Sequence, residues 1–165
     1  MKTTLKNLAI LVSLSFSAAT AFSADLTPEK QQQYGQAYGS VQGFAMSMDY
    51  MRDNCGDTAK DARKVWDARN AVQKLQAEAL FQKVMRLIAK QSGEKAAKDA
   101  EPQIRQQLAQ MQGQAVKNSF AKFAALPPDQ KAVACSRFAA EVHSGRWDIQ
   151  KRDPALFQLL ETESP

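Results

Sequence analysis

Proline placement constrains this chain more than any other feature. Its six prolines stand at positions 28, 102, 127, 128, 154 and 165, and none falls between residues 29 and 101. A proline inside a helix removes a backbone donor and crowds the preceding turn, so prolines collect at helix starts and just past helix ends. All six positions read as helix boundaries. Alternating runs of β-branched residues, the mark of half-buried strands, are absent. The chain therefore reads as all-α. The expected fold is a four-helix bundle or helical array with a short C-terminal helix and one disulfide, Cys55–Cys135.

Local signals divide it further. Thr27 is a good N-cap, Pro28 suits the first helical position and Gly56 suits a C-terminal cap, so a first helix is expected from Pro28 to about Cys55. At 100° per residue one face of it collects Tyr34, Ala37, Tyr38, Val41, Phe44, Ala45, Met48, Met51 and Cys55. A second helix is expected from Thr58 to Ser92, closed by Gly93, with a core line of Val65, Ala68, Val72, Leu75 and Ala79 widening into Leu80, Phe81, Val84, Met85, Leu87 and Ile88. At this length, about 50 Å, either the bundle is elongated or the helix bends. Residues 93–101 read as a connection or loose turn. A third helix should start near Pro102, with Gly113 marking a bend. The Leu126-Pro127-Pro128 break should start a fourth, which carries Cys135, Phe138 and Val142 on one face and ends at Gly145. Asp153 and Pro154 then open a short final helix. Trp147 reads as a plug beneath it, and His143 as a cap on the last turn before Gly145.

The compartment follows from residues 1–23. Lys2 and Lys6 precede an apolar run from Leu8 to Phe16, and small residues then lead to Asp25. That is the order of a secretory signal, cut after Ser23 or after Ala21. The expected organisation is a cleavable signal at 1–23 and one helical domain at 24–165, located in the bacterial periplasm. The run is short for a bilayer span, and no second long apolar stretch follows. The signal holds two of the 22 basic residues and none of the 17 acidic ones, so 20 and 17 remain, a net charge of +3. Such a balance gives little reason to expect nucleic-acid binding.

Two cysteines in an exported chain suggest one disulfide. It would close a loop of roughly 80 residues, which chain entropy values at about 4.5 kcal/mol. Two free thiols, or one reactive cysteine, is the alternative.

Gly35, Gly39 and Gly43 recur every fourth residue inside the first helix, where each glycine costs roughly 1 kcal/mol relative to alanine. They lie opposite the core line, with Met46 and Tyr50 beside them. A bare backbone track admits another backbone closely. These five residues are the candidate docking face for a partner or a second copy. The other reading is a helix sandwiched between neighbours of its own chain. Met46, Met48 and Met51 could hold Cu(I), but Met46 points away from the other two, and packing is the simpler account. A lone His143 makes neither a triad nor a haem site. No catalytic, metal or cofactor constellation is expected.

Two local resemblances bear on function. Leu26-Thr27-Pro28-Glu29-Lys30-Gln31 and Leu126-Pro127-Pro128-Asp129-Gln130-Lys131 resemble the paired Leu-Thr-x-x-Gln motifs of periplasmic stress chaperones, with Lys30 in place of the first Gln and Pro127 in place of the second Thr. Those all-helical proteins hold unfolded clients without ATP. Asp53-Asn54-Cys55-Gly56, with Cys135 in a later helix, is similar to the disulfide-closed pilotins of type II secretion, which bind a segment of the outer-membrane secretin. Both imply a non-enzymatic periplasmic helper, a chaperone or secretion accessory, whose partner is another periplasmic or outer-membrane protein. A periplasmic immunity or inhibitor protein against a toxin is the alternative; a metal or ligand carrier is a third.

Overall fold

Thr27 starts the first helix as its chemistry predicts: its hydroxyl accepts from the Lys30 N–H at 3.3 Å. The computed structural model describes residues 26–164, so the expected signal at 1–23 lies outside the described residues. Among them there are eight α-helices and no strand. Helix α1 spans Pro28–Cys55 and leads through a 3-10 turn, Gly56–Ala59, into α2, Ala62–Arg69. There follow α3 (Ala71–Ser92), α4 (Glu94–Ser119), α5 (Ala121–Ala124), α6 (Pro128–His143), α7 (Ile149–Arg152) and α8 (Pro154–Glu163). Gly56 and Gly93 end α1 and α3 at φ of 55° and 91°, a region that disfavours a side chain.

Helices α1, α3 and α4 pack on one another as a three-helix core. Helix α6 is held by α1, α2 and the turn between them, and α8 lies on α3 and α7. The all-α expectation holds, in a form between bundle and array. Helix α1 meets five other helices, which explains why its whole expected core line is buried or half-buried. Met48, Trp66, Leu80, Ile149 and Leu160 are fully buried. Each contributes roughly 1.5–3 kcal/mol relative to an exposed side chain. The expected disulfide joins the end of α1 to α6: Cys55 and Cys135 are bonded, with Cα atoms 5.5 Å apart.

Several boundaries differ from expectation: the second helix starts at Ala62 and not at Thr58, and α5 and α7 are short additional helices. The long second helix is two helices, broken at Asn70. This residue is buried, and its amide Nδ2 donates to the Trp66 carbonyl at 2.9 Å. Residues 94–101 are helical, so Pro102 lies inside α4 instead of starting it. A proline there frees the carbonyl four residues earlier. That residue, Lys98, is exposed, and water can satisfy it. Helix α4 also runs through Gly113 unbroken and stops at Phe120.

Trp147 is a plug, but beneath different elements. It stacks on Phe120, meets Phe138 edge-on at 5.2 Å, and lies under the Arg152 guanidinium. Its carbonyl accepts from the Trp66 indole at 2.9 Å. His143 is exposed, with Nδ1 2.8 Å from the Ala139 carbonyl in the last turn of α6.

Candidate functional site

The glycine face of α1 is filled by the chain itself. Gly39 and Gly43 are buried, and the Gln112 side chain of α4 lies over both. A Cβ on Gly43 would stand 2.6 Å from Gln112 Oε1, and one on Gly39 would stand 3.1 Å from Nε2. Tyr50 stacks on Phe120, with centroids 5.2 Å apart, and Met46 is half-buried. Only Gly35 has open space over it. The track serves close packing of α4 on α1, and the docking face expected from Gly35, Gly39, Gly43, Met46 and Tyr50 is not free along most of its length.

Beside it, Arg105 of α4 joins three helices. Its guanidinium donates to Glu78 at 2.5 Å, to Glu101 at 2.7 Å and to the Tyr38 hydroxyl, and lies 4.3 Å above the Phe81 ring. The hydrogen bonds from Arg105 hold the Glu78 carboxyl below its usual range, and Glu78 in turn helps hold Arg105 protonated. Gln82 bonds both carboxylates. One guanidinium and one amide here bridge both carboxylates, so the seam fixes the α3–α4 register.

That register places the apolar residues that the core does not use. Helices α2 and α3 carry two apolar lines on opposite sides. The inner one, Ala62, Trp66, Ala77, Leu80, Phe81 and Met85, is buried. The outer one is the middle of the expected core line: Ala68, Val72 and Leu75 are exposed, and Ala79 is half-buried. Val72 is 58% exposed and Leu75 73%. The expected core line is thus met at Val65, Leu80, Phe81, Val84, Met85 and Ile88, which are buried or packed on the core, and fails at Ala68, Val72 and Leu75, which face water. Asn70 interrupts the inner line with a polar residue, while the outer line reads as continuously apolar. Continued along both helices, the register set by Gln82–Glu101 and Glu78–Arg105 puts Leu75 at the height of Leu108 after one turn and Val72 at the height of Met111 after nearly two. Met111 is 40% exposed.

A second feature lies at the other end of α3. Lys30 and Tyr34 of α1, Lys83, Arg86 and Lys90 of α3, and Glu163 of α8 line an open recess of about 380 Å³. Glu163 accepts from the Tyr34 hydroxyl at 2.5 Å and from Lys30 at 3.1 Å, which holds its carboxyl below the usual range. Burial, reinforced by Glu163, pushes the Tyr34 phenol up to about 12. Sequence reasoning missed this cluster; the spacing Lys83, Arg86, Lys90 on one helix face was its visible signal.

Among the described residues no three His, Cys, Asp or Glu side chains gather as a metal site, and no helix is long and apolar enough to cross a membrane. No protein-family model matches the chain, and no curated protein or solved structure matches it either.

Proposed function

We propose that this chain is an exported, non-enzymatic helper that holds other proteins of the periplasm or outer membrane, and that its working surface is the outer α2–α3 line with Met111. The observation that carries this reading is the second apolar line. Helices of small domains normally present one apolar face to the core and a polar face to water. Here Val72 and Leu75 stand exposed one turn apart, and the α3–α4 register, carried on by two turns, puts the exposed Met111 at the same height. Adjacent apolar side chains on a surface mark interaction sites more than isolated ones do. Methionine adapts to varied partners, which suits a protein that holds many clients. The Cys55–Cys135 bond is compatible with export. The resemblance to ATP-independent chaperones points the same way.

The test is light scattering of thermally unfolding citrate synthase, with and without equimolar protein. Wild type should delay aggregation several-fold, and the V72E/L75E variant should lose most of that effect while keeping its helical content. No delay by wild type, or equal delay by the variant, refutes the proposal. Sedimentation of wild type as a dimer that V72E/L75E dissolves would assign the surface to self-association instead.

A further inference from the structure

The recess between the start of α1, the second half of α3 and the end of α8 concentrates positive charge, part of which the fold leaves unpaired among the described residues. Four cations line it, Lys30, Lys83, Arg86 and Lys90, against one carboxylate, Glu163. The local excess equals the net charge of the whole chain without residues 1–23, which holds 20 basic and 17 acidic residues. Glu163 is already engaged by Lys30 and Tyr34. Lys83 donates at 2.7 Å to the Glu163 backbone carbonyl and shares the Glu163 carboxylate with Lys30, so one carboxylate faces both lysines. Arg86 and Lys90 are exposed and have no carboxylate within ion-pairing distance among the described residues. They sit four apart on one helix, where like charges repel and stability is lost. Most other cations near α3 have partners: Lys74 pairs with Asp67 and Arg105 with Glu78. Leu87 also lines the recess, beside the charges, and adds an apolar wall.

We infer that this recess binds a phosphate group, with Arg86 and Lys90 as its principal donors and Leu87 against the ligand's apolar part. Arginine offers a planar fork that matches phosphate oxygens, and lysine adds a mobile point charge. The apolar wall favours the headgroup of an anionic phospholipid over a bare ion. The site lies at the opposite end of α3 from Val72 and Leu75, so it stands or falls separately from the helper reading.

The experiment uses residues 24–165, the chain without its expected signal. One arm measures co-sedimentation with vesicles of phosphatidylcholine alone and of phosphatidylcholine with one-third phosphatidylglycerol, at low and high salt. The other follows Arg and Lys side-chain NMR signals during titration with inorganic phosphate. The variants are R86Q/K90Q and, as a charge-matched control, K117Q/K122Q, whose lysines are exposed on α4 and α5. The inference expects at least tenfold preference for the phosphatidylglycerol vesicles, weakened by salt, and at least tenfold loss in R86Q/K90Q alone. Phosphate shifts at Arg86 and Lys90 without vesicle binding would keep the site and assign it a small soluble phosphate. Equal binding to both vesicles, equal loss in the control variant, or no response in either arm would overturn it.

Discussion

Replacing Asn70 tests how the junction of α2 and α3 is locked to the start of α7. Its Nδ2 donates to the Trp66 carbonyl at 2.9 Å, and its Oδ1 accepts from the Ile149 N–H at 2.9 Å. Asn70 is 2% exposed and Ile149 0%. One side chain therefore caps the end of α2 and satisfies the backbone where α7 begins. In Asn70→Ala the Ile149 donor is left buried without a partner, which costs roughly 1–3 kcal/mol. The hole left by the amide adds to this, for a total of about 2–4 kcal/mol. For a domain of this size that is roughly 3 °C in Tm for each kcal/mol. Urea unfolding of the oxidised protein, followed by far-UV circular dichroism, measures it. Asn70→Asp sharpens the test. Its ionised form keeps the acceptor toward Ile149 but sets a second acceptor against the Trp66 carbonyl. It should be as damaged as Asn70→Ala at pH 7 and recover on acidification, because the protonated acid restores a donor. A loss under about 0.5 kcal/mol in Asn70→Ala, the size of an ordinary surface change, would refute the reasoning.

Other outcomes follow from the same structure. Replacing both Cys55 and Cys135 by alanine should cost up to about 4.5 kcal/mol in chemical denaturation, the entropy of releasing a loop of roughly 80 residues. Gly35→Ala, with nothing within 4 Å of the new Cβ, should raise stability by about 0.5–1 kcal/mol. Gly43→Leu should lower it, since even a Cβ meets Gln112 at 2.6 Å; differential scanning calorimetry separates the two signs. Tyr34 has its folded pKa raised from 10.0 to about 12, so its contribution is complete below pH 10 and is lost as pH rises toward 12. The stability gap between wild type and Tyr34→Phe should therefore shrink across that window in pH-dependent urea titrations.

The first helix was legible because its signals agree. Thr27, Pro28 and Gly56 set its ends, and large residues at helical spacing set its buried face. Both cysteines fell on apolar lines, so their meeting could be read before any coordinates. The start of α4 was hidden because Pro102 mimics a helix start, and only the exposure of Lys98 makes an interior proline tolerable. The inner line is legible from Leu80 onward, but its first half, Ala62, Trp66 and Ala77, is hidden by Asn70. A polar residue there makes sense only once Ile149, distant in sequence, is seen to need its oxygen. The glycine track was visible, but its occupant was not. Pattern shows that some backbone can approach, and Gln112 settles which one does. Spacing alone makes Ala68, Val72 and Leu75 look like a continuation of the core line, yet they face water.

The claim at the centre of this account is that clients are held on the outer face of α2, α3 and α4. Methionine oxidation reads it directly, because Met111 is 40% exposed while Met48 and Met51 are 0% and 2% exposed. With dilute peroxide and mass spectrometry, Met111 should oxidise rapidly in the free protein and several-fold more slowly when an unfolded client is bound, while Met48 and Met51 stay slow in both. Unchanged oxidation of Met111 under saturating client would contradict the claim.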